Sequence, residues 1–249
     1  MPFVEPRIVR SVEDCFFYHA MDLPGFGTVK ADSYWDLRGR FDDYTGRVDL
    51  QGKRFLEIGA ASGFVSFEAE RRGAEVVSFD MEHAEQRQFF PDHTMRRPAQ
   101  QAPASARQEL ERLKNAYWLG HAAFHSKAHA YYGDIYDLSD DIGVFDVVFF
   151  GQVLVHLRDP LRALHQGARL CRHTLVITEG MFWDWWPRMR FLVGSNDSWW
   201  LLSRKLYRDW LAVLGFEIES VRRGTYHFVM PGRIRNFRLG TIVARRVRQ

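Results

Sequence analysis

The sequence has few of the features that mark secreted, metal-binding or membrane-spanning proteins. It has only two cysteines, Cys15 and Cys171, which lie far apart and match neither a zinc-ligand spacing nor a disulfide framework. No run approaches the roughly 20 apolar residues of a membrane span. The N-terminus places charges and prolines where a signal peptide would have an apolar stretch. We therefore expect a cytoplasmic protein with no metal site and no membrane association.

Acidic residues are absent from the last part of the chain. Residues 221–249 contain eight arginines and no aspartate or glutamate, so this part carries a charge of +8. The first 220 residues carry −5, which gives the overall net charge of +3. Such a basic segment can attract a nucleic acid or another anionic substrate. It can equally be a solvated strand edge that charge protects from aggregation. The sequence leaves both readings open.

Hydrophobic residues make up 46% of the 249 residues, which is enough for one large domain with a packed core. Short, largely apolar runs predict strands, and these alternate with helical periodicity. The predicted strands are 54–58, 75–80, 129–132, 145–150 and 174–178, followed by 216–221 and 240–246 as an antiparallel pair at one edge. The predicted helices are 63–72, 106–125, 160–170 and 203–214.

This order predicts an α/β fold, a doubly wound and mostly parallel sheet of seven strands with an antiparallel edge strand and helices on both faces. We assign this domain to residues 51–249 and regard residues 1–50 as an N-terminal extension that forms a partial lid. Residues 82–127 are an expected insertion, and the proline-containing part at 83–105 is open to three readings: an Ω-loop, a lid or disorder. Residues 181–202 form a tryptophan-rich segment.

A glycine-containing turn joins the first strand to the first helix of this domain. Glu57, Gly59 and Gly63 are spaced so that backbone amides and the positive end of the helix face a ligand at the end of the strand. A nicotinamide-type Gly-x-Gly-x-x-Gly motif does not fit, because Ala61 and Phe64 occupy its second and third glycine positions. The spacing of this turn therefore argues against a nicotinamide cofactor.

Its spacing resembles the first motif of the class I S-adenosylmethionine-dependent methyltransferases. The resemblance extends along the chain, because Asp80 ends the second strand, where the family binds both ribose hydroxyls, and Asp134 follows the third, where it binds the adenine amino group. The segment from Gly151 onward resembles the part that passes beneath the sulfonium. Separately, Asp80 can be a capping residue and Asp134 a turn residue. The resemblance implies S-adenosyl-L-methionine as cofactor, bound by Glu57, Gly59, Ala60, Ala61, Ser62, Gly63, Phe64, Asp80, Met81, Asp134, Ile135, Gly151 and Gln152.

The acceptor side is less defined by the sequence. His156 is the histidine nearest the expected methyl position and is a candidate general base, or else a histidine packed on the following helix. The extension supplies four candidate acceptor contacts, Tyr18, His19, Trp35 and Arg38. The tryptophan-rich segment supplies a fifth, Trp183. Aromatic rings there can form a wall, a dimer interface or ordinary packing.

Three functions fit these features. The first is a small-molecule O- or N-methyltransferase that works by in-line displacement. The second is an RNA uridine methyl- or carboxymethyltransferase, since the N-terminal stretches 16–19 and 34–38, followed by 50–59, also resemble the catalytic half of the tRNA wobble-uridine carboxymethyltransferases. The third is a non-catalytic protein that binds the cofactor. The oligomeric state is not predicted.

Overall fold

A computed structural model describes residues 3–88, 104–192 and 198–248 of the chain. Within these ranges, the helices are α1 (Phe41–Tyr44), α2 (Phe64–Arg71), α3 (Ala104–Ala123), α4 (Pro160–Leu170) and α5 (Arg204–Val213). The strands are β1 (Met21–Leu23), β2 (Gly27–Val29), β3 (Tyr34–Asp36), β4 (Arg54–Ile58), β5 (Glu75–Met81), β6 (His129–Gly133), β7 (Phe145–Gly151), β8 (Cys171–Glu179), β9 (Met181–Phe182), β10 (Met189–Phe191), β11 (Trp200–Ser203), β12 (Phe216–Met230) and β13 (Arg233–Arg246). In none of these helices do length and apolar composition suffice for a membrane span.

One mixed sheet organises the domain, with the strand order β3-β12-β13-β8-β7-β4-β5-β6. Strands β6, β5, β4, β7 and β8 are parallel, and β13 is antiparallel to β8 and to β12. The predicted doubly wound, mostly parallel sheet is confirmed. The structure adds an eighth strand, because β3 of the N-terminal extension pairs with β12.

The parallel strands are buried because both of their faces are covered. Successive side chains of β7 alternate between two cores: Phe149 packs in the core beneath α2, α3 and the extension, and Phe150 in the core beneath α4 and α5. Helix α4 begins where sequence chemistry predicts, with Pro160 in its first turn and the Asp159 side chain accepting a hydrogen bond from the Arg162 amide at 3.0 Å. The carboxyl ends of the parallel strands therefore form one rigid edge.

The final hairpin is much longer than the sequence predicted, and the boundaries 216–221 and 240–246 were wrong. Gly240 of β13 lies opposite Glu179 at the end of β8, and the hairpin continues past this point to the turn at Pro231 and Gly232. The extra length is stabilised by the extension, since β3 pairs with residues 227–229 and Trp35 packs against Phe228 and Phe237 at centroid distances of 5.4 and 4.9 Å. We call residues 224–239 the hairpin arm. Seven of the eight C-terminal arginines are exposed along this hairpin and the tail that follows it.

The two segments outside the regular scheme are described in part. Most of the predicted irregular stretch 83–105 lies outside the described residues, which include a 3₁₀ turn at Ala84–Gln86 and the start of α3 at Ala104. The tryptophan-rich segment forms a small sheet with the order β10-β11-β9. Its tryptophans are spread over several environments, because Trp199 and Trp200 pack near Phe191 whereas Trp185 and Trp186 are 86% and 68% exposed.

Candidate active site

The turn between β4 and α2 lies at the carboxyl end of the sheet. The amides of Gly59 and Ala60 both donate to the Phe79 carbonyl of β5, at 2.9 and 3.0 Å, which ties the turn to the neighbouring strand. Gly63 caps α2 in the left-handed conformation, and Ala61 also has a positive φ of 49°. The first turn of α2 is thereby aimed at the strand ends, where its amides can face a ligand.

The two motif glycines are required by contacts within the protein. A Cβ atom on Gly63 would lie 2.5 Å from the Phe67 ring and 2.9 Å from that of Tyr117. A Cβ atom on Gly59 would lie 2.5 Å from a methyl group of Val153, in the segment after β7. Gly59 and Gly63 also have positive φ angles, of 82° and 88° respectively. The motif thus allows the turn to pack closely against its own helix and against the neighbouring strand end.

Glu57 is buried beneath this turn in a network of hydroxyl groups. Ser66 of α2 donates to the Glu57 carboxylate, the Ser66 and Ser78 hydroxyls lie 2.6 Å apart, and Tyr117 donates to Ser78 at 2.9 Å. Burial raises the pKa of Glu57 to about 8, and the charge of Asp80 adds to this effect. Glu57 therefore joins β4, α2, β5 and α3 below the site, at 2% exposure.

Asp80 lies at the end of β5 beside the turn. Its two carboxylate oxygens accept hydrogen bonds from the amides of Ala61 and Met81, both at 2.7 Å. Burial raises the pKa of this carboxyl, although the two amide bonds act in the opposite direction. Because each carboxylate oxygen has two lone pairs, Asp80 keeps the capacity to accept hydroxyl donors from a ribose.

Asp134 follows β6 in an exposed turn. One of its oxygens accepts a hydrogen bond from the Tyr136 amide at 2.9 Å, which is the turn role that aspartate often has. Ile135, next to it, is half-buried. Asp134 and Ile135 lie at the same sheet edge as Asp80, since β6 pairs in parallel with β5.

The segment after β7 is held by a buried carboxylate that the sequence analysis missed. Glu179, at the end of β8, accepts hydrogen bonds from the Leu154 amide at 2.8 Å and from the Gln152 side-chain amide at 3.2 Å. Burial raises its pKa to about 8. Gln152 has a positive φ of 55° and lies directly after Gly151. The acid after the apolar run 174–178 obeys the rule that identified Asp80, so the signal was present in the sequence.

His156 ends the 3₁₀ turn Leu154–His156 in the same segment. Its amide donates to the Val153 carbonyl at 3.0 Å, and its side chain is half-buried. The structure thus places His156 beside the strand ends, and its role as a base stays a prediction.

The N-terminal extension contacts the motif turn directly. The His19 amide donates to the Ser62 hydroxyl at 3.1 Å, and its ring lies 6.0 Å from that of Phe64. Trp35 donates from its indole nitrogen to the Tyr18 hydroxyl at 3.1 Å. His19 is 7% exposed, its Nδ1 has no hydrogen-bond partner among the described residues, and burial lowers its pKa to about 3. Tyr18, His19 and Trp35 are therefore brought together beside the turn, with the imidazole neutral.

Arg38 and Trp183 lie in other surroundings. Arg38 forms ion pairs with Asp22 at 2.9 Å and Asp36 at 2.8 Å, so its guanidinium is engaged within the extension. The Trp183 ring centroid lies 3.7 Å from the Arg223 guanidinium and 5.0 Å from that of Arg204. The predicted acceptor roles of Arg38 and Trp183 remain predictions.

The chain is similar to known methyltransferases. The model of a methyltransferase domain family matches residues 36–221. The structure is similar to 1,6-didemethyltoxoflavin-N1-methyltransferase from Burkholderia thailandensis, solved with 1,6-didemethyltoxoflavin and S-adenosylhomocysteine, with a TM-score of 0.56 and 13% identity over 85% of this chain and 78% of that one. It is also similar to magnesium protoporphyrin IX methyltransferase from Synechocystis PCC 6803 (TM-score 0.53, 14% identity, 84% and 81% covered).

A third similar structure is a proposed RNA methyltransferase from Pyrococcus horikoshii, with a TM-score of 0.53 and 11% identity over 84% of this chain and 81% of that one. No protein with a curated description matches the sequence. The family match covers well over half of the chain and includes the motif turn, Asp80, Asp134 and Gln152. The chain therefore belongs to the methyltransferase domain family, as a class I S-adenosylmethionine-dependent methyltransferase.

Proposed function

We propose that this protein transfers the methyl group of S-adenosylmethionine to an oxygen or nitrogen atom of a small-molecule acceptor by in-line displacement. The observation that supports the proposal most is the position of the extension, whose aromatic side chains Tyr18, His19 and Trp35 pack beside the motif turn through the bond from His19 to Ser62. A wall of this kind at the strand ends suits an enclosed small acceptor.

The residues at the strand ends fit the proposed cofactor. Asp80 has unused acceptor capacity for ribose hydroxyls, and Asp134 has a second carboxylate oxygen that can accept the adenine amino group. The positive end of α2 and the amides of the motif turn can bind its carboxylate. When bound, the cofactor supplies a methyl group on a positively charged sulfur. Gly151 and Gln152 would contact it, with the Gln152 side chain held by Glu179.

The acceptor side works through alignment and exclusion of water. Methyl transfer needs the acceptor atom and the methyl group in line at near-attack distance, and such positioning supplies a large part of the acceleration. His19 is neutral because burial lowers its pKa to about 3, so it can orient an uncharged acceptor through its unpartnered Nδ1. His156 is the candidate base for an acceptor that has to lose a proton. Similar structures that contain small acceptors, such as the toxoflavin enzyme, support the same class of substrate.

Isothermal titration with S-adenosylhomocysteine tests the cofactor part of the proposal, and absence of binding up to about 1 mM would overturn it. The acceptor is tested by incubating the protein with small-molecule extract and methyl-labelled S-adenosylmethionine, followed by mass spectrometry. A labelled small molecule is the expected result. Cofactor binding with no labelled product across a broad acceptor panel would instead favour a non-catalytic protein.

RNA is the second candidate acceptor, and the exposed arginines of the hairpin favour it. Arg222, Arg223, Arg233, Arg235 and Arg238 are exposed on the hairpin, and no acidic residue lies in this part of the sequence. Phosphate contacts by these side chains would make binding to tRNA fall steeply with salt concentration. Weak tRNA retention that does not depend on salt would leave the small-molecule proposal in place.

A further inference from the structure

The bend between β9 and β10 exposes large apolar side chains. Residues 185–191 are all exposed, and they include Trp185, Trp186 and Met189. Strand β10 is an edge strand of the small sheet, since within the described residues it pairs with β11 alone. Exposed apolar groups that lie next to one another mark a contact surface, whereas scattered ones need no explanation. The bend is therefore a candidate docking surface.

The fold itself imposes this exposure. Ser203 is fully buried, and its hydroxyl donates to the Trp186 carbonyl and accepts from the Arg188 amide, both at 3.0 Å. The Ser203 amide also donates to the Arg188 carbonyl at 2.9 Å. Within the bend, the Asp184 carboxylate accepts a hydrogen bond from the Trp186 amide at 3.2 Å. The base of the bend is thus fixed, and the two neighbouring indole rings are held in solvent.

Four guanidinium groups belong to the same surface, and one of them has an acidic partner. Arg188 pairs with Asp184 at 3.1 Å. The other three form no ion pair with any residue that the structure describes: Arg190, Arg204 and Arg223. Two of these three lie against the Trp183 ring. Aromatic and cationic groups therefore alternate over one surface, which we call the bend surface (residues 183–190 with Arg204 and Arg223).

Charge and chemistry favour an anionic membrane surface as the occupant. Indole rings prefer the membrane–water interface, and arginine side chains bind anionic headgroups while their alkyl stems stay on apolar surface. A second copy of the chain in a two-fold dimer would bring the same arginines face to face, which like-charge repulsion disfavours. RNA would use the rings for stacking and the arginines for phosphates, but it would leave the apolar surface of Pro187 and Met189 unused.

We propose that the bend surface docks the protein on bilayers that contain anionic lipids, with Trp185 and Trp186 in the interfacial region and the arginines on the headgroups. This inference goes beyond the proposed function and does not depend on it. Docking of this kind needs no spanning helix, and it revises the expectation of no membrane association. The Trp199 amide, which precedes β11, donates to the Val155 carbonyl at 2.7 Å. The small sheet that carries the bend surface is thereby joined to the segment of His156.

Co-sedimentation with lipid vesicles tests the proposal on the whole protein. Vesicles of phosphatidylcholine with about 30% phosphatidylglycerol should bind the wild type, vesicles of phosphatidylcholine alone should bind it far more weakly, and binding to the former should fall as salt rises. The double variant Trp185→Ser/Trp186→Ser should bind about tenfold more weakly or less. Arg190→Gln should bind about fivefold more weakly. All three side chains are exposed, so circular dichroism should show an unchanged fold.

Matched controls remove exposed groups of the same kinds from the N-terminal extension. Ile8→Ser/Phe26→Ser removes two exposed apolar side chains, and Arg10→Gln removes one exposed arginine. We expect vesicle binding within about twofold of wild type for both controls.

Three results would overturn the proposal. The first is no binding of the wild type to the anionic vesicles at up to about 1 mM lipid. The second is equal binding by wild type and Trp185→Ser/Trp186→Ser, which would assign vesicle binding to the hairpin arginines. The third is a double variant that loses tRNA retention, or that separates a wild-type dimer in light scattering, while neither protein binds vesicles. The bend surface would then serve RNA or a second copy of the chain.

Discussion

Replacement of Gly63 by alanine tests whether the motif glycine is required by packing within the protein. The added Cβ atom would lie 2.5 and 2.7 Å from two atoms of the Phe67 ring and 2.9 Å from the Tyr117 ring, and both rings are buried. These rings cannot move aside without disturbing the core between α2 and α3. The substitution also places a residue with a Cβ atom at φ 88°, in the left-handed region.

The two costs can be separated by size. The left-handed conformation costs about 1–2 kcal/mol for a residue with a side chain, and overpacking a closed core costs about 1–3 kcal/mol. We therefore expect Gly63→Ala to lower the free energy of unfolding by roughly 2–5 kcal/mol. Gly52→Ala is the matched control, because Gly52 has a φ of 67° and nothing within 4 Å of its added Cβ atom. It should cost only about 1–2 kcal/mol.

Urea unfolding followed by circular dichroism measures both variants. Equal losses in the two, within about 0.5 kcal/mol, would show that the rings accommodate the methyl group and that our packing argument is wrong. Loss of S-adenosylhomocysteine binding by a fully stable Gly63→Ala would assign the glycine to ligand approach instead.

Three further predictions concern charged and buried groups. Asp80→Ala should weaken S-adenosylhomocysteine binding by about 1–3 kcal/mol in titration calorimetry, whereas Asp49→Ala, on an exposed acid near Lys53, should leave it unchanged. His19→Phe removes an unpartnered buried nitrogen, so it should retain or increase thermal stability while it weakens binding of the small-molecule acceptor. A loss of both thermal stability and acceptor binding would indicate that His19 has only a packing role. Because the pKa of Glu179 in the folded protein, about 8, exceeds its unfolded value, stability from this group is present at low pH and is lost as pH rises from about 4.5 to 8. Glu179→Gln should flatten this decline in pH-dependent urea unfolding because glutamine does not ionise, while the Gln152 amide can rotate to accept the new donor. An unchanged slope would refute the assignment.

The cofactor half of the protein was predictable because its signals are local. Glu57, Gly59 and Gly63 occur within one turn, and Asp80 ends the next strand along the chain, so strand order alone brings them to one edge. The sheet and the helices α2, α4 and α5 followed from periodicity for the same reason. Glu179 could have been found by the same rule of an acid after an apolar strand.

The extension and the hairpin arm were less predictable because they depend on each other. Residues 222–239 alternate weakly between polar and apolar side chains, and their pairing is completed by β3, almost 200 residues away in sequence. Trp35 packs on Phe228 and Phe237 only in that arrangement. No local pattern reports such a contact, so strand length and the eighth strand were missed.

The extension also places one unpaired polar atom beside the motif turn. A buried polar atom without a partner costs about 1–3 kcal/mol, and here that atom is the Nδ1 atom of His19. The His19 backbone is bonded to Ser62 and its ring is buried, so this nitrogen does not reach water. The free energy of folding thus tolerates a group that a ligand would satisfy. If ligand binding protects the amides of the extension from hydrogen exchange more than those of α4 and α5, this cost is recovered on binding. Uniform protection would show that this nitrogen is unrelated to the site.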